Sequence, residues 1–369
     1  MPIYMDRHDL PSEITPEALA ELHQKDLAIE QKHGCRGFTY WLDLDKKYAF
    51  CLIEAPNKEA VHNMHHESHG DLPTKIIEVE PSIVGSFLGR ISDPEKAKDT
   101  ELNIINDPAF RTIMVIETGN HLNRIEGNQF NVFTQKFHNS VTKTLNHFEG
   151  RIVKQDNTSY LVSFKSVSSA ILCAIKIHSN IKYITPKFEK TFRNIKIGLT
   201  AGVPVSKDDK QIFEETITLA TRMCEVVNNP VVITYELKNL YESENKNAYI
   251  DKDLIRALKP NEQVFLTKLM NFIEKGWQDE SLNIDKFSNA LGFSKSQLNR
   301  KMKSLTGKSP NNFIMDYRLN NALKLLHNQK GNISEIAFET GFNSLAYFSK
   351  CFKKKFKILP SKYLQQHIY

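Results

Sequence analysis

The chain lacks several things that would fix its chemistry at once. Its five cysteines, Cys35, Cys51, Cys173, Cys224 and Cys351, are odd in number, widely spaced and without a Cys-x-x-Cys pair. That excludes a disulfide framework and a cysteine-based zinc scaffold, and leaves reduced thiols of the kind a cytoplasmic protein carries. No stretch approaches the roughly 18 consecutive apolar residues a membrane-spanning helix needs. The opening residues Met1 to Asp6 have neither the cationic start nor the apolar run of a secretory leader. At 369 residues and 40% hydrophobic, the chain is long enough for two or three domains with real cores.

What is present is a repeat. Asn283-Ile284 opens a segment that passes through Gly292-Phe293 and ends at Pro310. Asn332-Ile333 opens a second, through Gly341-Phe342 to Pro360, with one residue inserted after the glycine. Each copy reads as a short helix, a Gly-Phe turn and a longer helix started by serine: a helix-turn-helix unit used twice. Ser294 and Gln297, three apart, form the reciprocal pair that caps a helix start. Leu298, Met302 and Leu305 recur at helical spacing and face inward, which leaves Ser296, Asn299, Arg300 and Lys303 outside. In the second copy Ser344 is the cap, Phe348 and Phe352 face inward, and Ala346, Ser349, Lys350 and Lys353 face outward. Such faces carry small or polar groups for base edges and cations for phosphate. A solvated helix face explains one such stripe, but poorly explains two that superimpose.

Charge follows the repeat. Residues 263–369 hold 17 Lys and Arg against 7 Asp and Glu, whereas the whole chain holds 49 against 43. The basic excess therefore lies where the repeat lies, the footprint of a nucleic-acid module. Gly292-Phe293-Ser294, the helix 295–305, Thr306-Gly307-Lys308-Ser309-Pro310, Gly341-Phe342, Phe352-Lys353-Lys354 and Pro360-Ser361-Lys362-Tyr363 together resemble the AraC-type transcription regulators. The resemblance implies two recognition helices joined by a long helix, residues 311–327, that enter successive major-groove segments of double-stranded DNA. By position, base contacts would fall on Ser296, Asn299 and Arg300, then on Ala346, Ser349 and Lys350. The second recognition helix departs from the first in opening on the less polar Leu345-Ala346-Tyr347.

Residues 1–84 alternate short apolar runs with helical stretches in the order βαββαβ, which suggests an α+β ferredoxin-like sandwich. On its second helix His62, His65, His66 and His69 stand at i, i+3, i+4 and i+7; on the first, His23 and Asp26 stand three apart. Imidazole suits nickel, zinc and copper, and a carboxylate completes a mixed site; a solvated histidine-rich face is the alternative. Met5-Asp6-Arg7, His23-Gln24-Lys25-Asp26, Thr39-Tyr40-Trp41, Glu54-Ala55-Pro56 and His65-His66-Glu67-Ser68-His69-Gly70 are similar to small bacterial nickel-binding proteins of ferredoxin-like fold. That similarity implies a β-sheet module that dimerises and holds nickel or another divalent ion at histidines.

A linker is expected over 85–107, a second α+β domain over 108–241, a linker over 242–262 and the all-α repeat over 263–369. In the middle domain Arg111-Thr112-Ile113-Met114-Val115, Val162-Ser163-Phe164, Ile197-Gly198-Leu199-Thr200-Ala201-Gly202 and Leu219-Ala220-Thr221-Arg222 resemble class III nucleotidyl cyclases. Those enzymes use two aspartates to hold two metal ions. By position the first is Glu117 and the second falls near Thr158, with Asp156 two residues out of register. The transition-state asparagine is Thr218; only Arg222 remains. Glu117 could still hold a metal, but threonine cannot replace a charged metal ligand, so the domain reads as a catalytically dead cyclase fold, kept for dimerisation or for binding a ligand. The whole reads as a cytoplasmic, homodimeric, DNA-binding transcription regulator that senses a metal or small molecule and is not an enzyme. A working cyclase with a DNA-binding tail, and a metal-buffering protein with incidental DNA binding, are the rival readings.

Overall fold

The computed structural model describes residues 1–94, 102–118, 127–184, 195–246 and 250–366. The first module runs β1 (Ile3–Asp9), α1 (Pro16–Ile29), β2 (Arg36–Asp43), β3 (Tyr48–Glu54), α2 (Lys58–Ser68) and β4 (Lys75–Glu78). Thr15 starts α1 by accepting the Ala18 amide, and Asn57 starts α2 by accepting that of Ala60. The strands pair antiparallel in the order β2-β3-β1-β4. Strand periodicity then sorts the side chains. Tyr4, Tyr40, Leu42, Ala49, Cys51 and Ile53 face the helices and pack with Leu19, Val61 and Met64. Met5, Trp41, Phe50 and Leu52 point to the other face.

That other face is also buried. Residues 81–88, expected as part of a linker or its edge, form α3 (Pro81–Leu88), whose Val84, Phe87 and Leu88 pack onto it together with Ile113, Val205 and Phe213 of the next module. Apolar content dictates this: Ile83, Val84, Phe87 and Leu88 would cost about 1.5–3 kcal/mol each if left in water. The charged stretch 95–101 lies outside the described residues. The sheet face that a pairing module would present is thus covered by its own chain.

The middle module comprises β5 (Arg111–Thr118), α4 (Gly127–His147), β6 (Arg151–Gln155), β7 (Ser159–Phe164), α5 (Val167–Ile184), β8 (Ile195–Gly202), α6 (Glu214–Val226), β9 (Val231–Thr234), α7 (Tyr235–Glu244) and β10 (Ile255–Leu258). Its six strands run β10-β9-β8-β5-β7-β6, with β8, β9 and β10 mutually parallel. Met114, Ile116, Ile195 and Ile197 pack under α4, α5 and α7; Val115 faces α6. The approach of α6 to β8 is close enough that a Cβ on Gly198 would stand 2.4 Å from the Ala220 carbonyl oxygen. The expected linker 242–262 carries regular elements of its own, since α7 continues to Glu244 and β10 adds a parallel strand beside β9.

The rest is helical: α8 (Pro260–Gly276), α9 (Ile284–Leu291), α10 (Lys295–Thr306), α11 (Pro310–His327), α12 (Ile333–Glu339), α13 (Leu345–Phe356) and α14 (Pro360–Gln366). The two units are α9–α10 and α12–α13, with α11 between them. Gly292 and Gly341 end the first helix of each at φ 73° and 78°, a left-handed turn that favours glycine. The cores of the two units differ. That of the first, with Phe265, Leu269, Phe287, Leu298 and Met302, continues into Met223, Val226 and Val232 of the middle module. That of the second, with Leu323, Ile336, Phe348, Phe352 and Tyr363, is built within the helical module alone. Among the described residues no helix is long and apolar enough to cross a membrane, and the five cysteines are unpaired.

Candidate DNA interface and candidate metal pocket

The two serine-started helices are locked from the inside. Ser294 accepts the Gln297 amide at 3.3 Å while Gln297 accepts the Ser294 amide at 3.1 Å, closing the capping box at the start of α10. Ser344 accepts the Tyr347 amide at the start of α13. Leu298, Met302 and Leu305, and then Phe348, Phe352 and Phe356, are buried. What is left outside on α10 is Ser296, Arg300 and Lys303, exposed, with Asn299 half-buried; on α13 it is Ala346, Lys350 and Lys353, exposed, with Ser349 half-buried. Among the described residues Arg300, Lys303, Lys350, Lys353 and Lys354 take no part in an ion pair. Two similar cationic faces therefore stand free for an anionic partner.

Further residues flank these faces. Leu345 and Tyr347 are 40% and 49% exposed at the head of α13, so its apolar opening lies on the surface. Lys355 turns inward instead, 3.0 Å from the Asp316 carboxylate of α11 and 3.1 Å from its carbonyl oxygen. Burial lowers its pKa to about 8, against the pull of Asp316. It ties α13 to α11 and leaves the outer face to Lys350, Lys353 and Lys354.

The polar pocket of the first module is built from four elements. β1 supplies Asp6 and His8, β3 Cys51, α1 His23 and Asp26, and α2 His65, with His69 just past its end. Two groups can each hold an ion: Asp26, His65 and His69, and separately Asp6, His8 and Cys51, with ligand atoms in each group within 4.8 Å of one another. His65 bridges them, its Nε2 2.9 Å from Asp6 and its Nδ1 3.2 Å from Asp26. Burial alone would lower the His65 pKa, but its hydrogen bonds to Asp26 and Asp6 push it up to about 10. Burial likewise opposes ionisation of both carboxyls, yet His8 and His65 hold Asp6, and His65 and His69 hold Asp26, well below the usual carboxylate range.

The donor set fits a transition-metal ion. Imidazole, carboxylate and thiol converge on a cavity of about 100 Å³, and such mixed sets suit nickel, zinc or cobalt. The Nε2 atoms of His8 and His23 are buried without a hydrogen-bond partner among the described residues. A buried ring nitrogen left so is costly, and a ligand in the cavity would satisfy it.

Of the histidines expected from sequence, His65 and His69 join Asp26. His23 lines the same cavity but stands 3.6 Å from Asp93. His62 and His66 are not brought to the pocket: α2 buries Val61, Met64 and His65, and that stripe turns both of them to solvent. Sequence reasoning missed Asp6, His8 and Cys51. Their signal was the strand period, which puts Asp6 and His8 on the same inward face as Tyr4 and makes them polar residues where apolar ones are usual.

A second cavity, of about 550 Å³, lies between the middle and helical modules. Glu117, Asp156 and Glu225 line one wall; Lys308, Asp316, Lys324 and Lys355 line the other. Burial raises the Glu117 pKa to about 7, helped by Glu225 and Asp156. Asp156 is committed to its own turn, accepting the amides of Thr158 and Ser159 at 2.9 and 2.8 Å and the Ser159 hydroxyl at 2.7 Å. Thr218 is exposed on α6. Arg222 is engaged by α8: its Nη2 donates to Glu274 and to Asn271, each at 2.7 Å.

Comparison with known proteins adds two family matches. A family described as "Helix-turn-helix domain" matches residues 287–366, and one described as "Nickel responsive protein SCO4226-like" matches residues 4–79. An uncharacterized HTH-type transcriptional regulator in the cgkA 5′ region of Pseudoalteromonas carrageenovora is 31% identical over 134 residues, 36% of this chain and 75% of that protein. An AraC-type transcriptional regulator structure from Chromobacterium violaceum is 29% identical, covering 29% of this chain and 96% of its own, at a TM-score of 0.27. A bacterial light-regulated adenylyl cyclase is 12% identical, covering 65% of this chain and 86% of its own, at a TM-score of 0.31. With TM-scores this low over the whole chain, the fold description rests on the topology above. The chain spans 8%, 36% and 43% of the length of the first curated relatives it matches.

Proposed function

The chain belongs to the AraC-type helix-turn-helix transcription regulators, and from that premise we propose that it reads DNA through α10 and α13 and is governed by its first module. The observation that carries the reading is the pair of matched outer faces, cationic and free of ion pairs, on two helices set in equivalent units of one chain. Ser296, Asn299 and Arg300 would meet base edges from the first unit, and Ala346, Ser349 and Lys350 from the second. Tyr347 and Leu345 would add apolar contact with thymine methyls and sugars. Lys303 and Lys353 would lie on phosphates, so affinity would fall steeply with salt. Genome-wide mapping of bound sites followed by footprinting tests this, and a footprint without sequence preference would refute it.

The first module is proposed as the sensor. The pocket would hold nickel or a similar divalent ion through Asp26, His65 and His69, and the ion would supply positive charge to offset the buried carboxylate. Among the described residues, hydrogen bonds join the first module to the middle one and the middle one to α10. Arg111 donates to the Phe87 and Leu88 carbonyls at the end of α3. At the far side of the middle module, Asn228 donates to the Leu305 carbonyl of α10 at 3.0 Å and Arg256 to that of Ser304 at 2.8 Å. A ligand can move such a chain of contacts only by as much as it distinguishes two arrangements of it.

The middle module serves in this reading as a relay, not a catalyst. A two-metal clamp needs two carboxylates free to ligate, whereas Asp156 is committed to its turn and Arg222 to Glu274. The cleft lined by Glu117 and Lys324 is where a small effector would bias α11. The sheet face of the first module is covered, so any homodimer would form through another surface.

A further inference from the structure

We propose that Asp6, His8 and Cys51 form a second metal subsite beside Asp26, His65 and His69, one that takes a thiophilic divalent ion with Cys51 as its thiolate ligand. The inference rests on the reading of this pocket as a metal site and extends it to a two-ion centre. Cys51 has a bland alternative, since it packs beside Ala49 and Ile53 as any small core residue would. Its polar side tells against that. Its own amide donates to Asp6 Oδ1 at 2.9 Å, and its sulfur falls within 4.8 Å of the ligand atoms of Asp6 and His8. Cysteine is tolerated in cores as an apolar residue, but this one shares its surroundings with carboxylates and imidazoles.

Asp6 is placed to serve both subsites. Its Oδ1 faces His8 Nε2 at 3.4 Å, a contact that forms no hydrogen bond, while its Oδ2 faces His65 Nε2 at 2.9 Å. The His8 and His65 rings meet edge to face with centroids 4.8 Å apart, and His8 and His69 lie 6.5 Å apart. The buried His8 Nε2 therefore stands beside Asp6 and Cys51 with only the long 3.4 Å contact to Asp6, which leaves it room to take a ligand. A thiolate, a carboxylate and an imidazole make a softer set than the two imidazoles and carboxylate next door, which favours a thiophilic ion in this position. On binding, the Cys51 S–H bond breaks, its proton leaves to solvent and a sulfur–metal bond forms.

The test uses the reduced full-length protein titrated with cobalt(II), followed by elemental analysis after gel filtration and by near-ultraviolet absorption, where thiolate-to-cobalt charge transfer appears. We expect two cobalt ions per chain with that band. Cys51→Ser should lose the band and one ion; His69→Ala should lose the other ion and keep the band, with affinity there down at least about tenfold for a lost imidazole ligand. One ion without the band in the parent, or a band that survives Cys51→Ser, overturns the second subsite and leaves the first. One ion whose band disappears in Cys51→Ser upholds the thiolate subsite and removes the other. No retained cobalt overturns both.

Discussion

Replacing Glu117 by glutamine should stabilise the protein at pH 8 and leave it unchanged near pH 4. The carboxyl has a folded pKa of about 7 against an ordinary value of 4.5, with burial the main cause and Glu225 the next. An acid raised in the folded state is protonated in both states below 4.5 and contributes nothing there. Between 4.5 and 7 the unfolded chain loses the proton first, so stability falls as pH rises; above 7 the penalty is complete. Each tenfold difference in ionisation is worth about 1.4 kcal/mol, which puts the ceiling near 3 kcal/mol. Solvent entering the cleft reduces this to about 1–3 kcal/mol, or several degrees in melting temperature for a domain of this size. Scanning calorimetry of parent and Glu117→Gln from pH 4 to 8 measures the gap. A gap that does not depend on pH, or a glutamine variant that is less stable at pH 8, would show the carboxylate paired and the reasoning wrong. Magnesium that raises the parent's melting temperature but not the variant's would instead mark Glu117 as a metal ligand.

Arg300→Ala should cost about 1–3 kcal/mol of specific DNA binding and relax preference at one position, whereas Lys353→Ala should weaken all sequences alike and reduce the salt slope by about 1; quantitative footprinting at several salt concentrations separates them. The parent should make no cyclic nucleotide from ATP or GTP with magnesium or manganese, and Arg222→Ala should lower stability by about 1–2 kcal/mol through loss of its bonds to Glu274 and Asn271. Turnover by the parent that Arg222→Ala abolishes would make the protein an enzyme. Phe348→Ala should cost about 3–5 kcal/mol and, because the second unit's core stands apart from the first, hydrogen exchange should rise across α12–α14 while α9 and α10 stay protected.

Strands and helices were legible wherever a period ran without interruption. The βαββαβ order of residues 1–84 occurs where alternating apolar runs and helical stretches place it. The outer faces of α10 and α13 were legible for the same reason, since Leu298, Met302, Phe348 and Phe352 leave only one side free. The joints were not. Residues 81–88 and 255–258 are short apolar runs amid polar chain, and only the waiting sheet face of β2 and β3 and the open edge of β9 make them a helix and a strand. The metal pocket was half legible: the histidine spacing on α2 is local, but Asp6, His8 and Cys51 reach it from strands distant in sequence. His62 and His66 share that spacing and lie outside, because spacing names a face and not which part of it is buried.

The most direct measurement is the binding isotherm of the full chain on a DNA fragment recovered by site mapping, with nickel present and absent. The account predicts saturable, sequence-dependent binding whose midpoint shifts with the metal by about 5–150-fold, the range of ordinary coupling between sites, and a shift that vanishes in His65→Ala with His69→Ala. Binding that ignores sequence, or a midpoint unmoved while the metal is demonstrably bound, would contradict it.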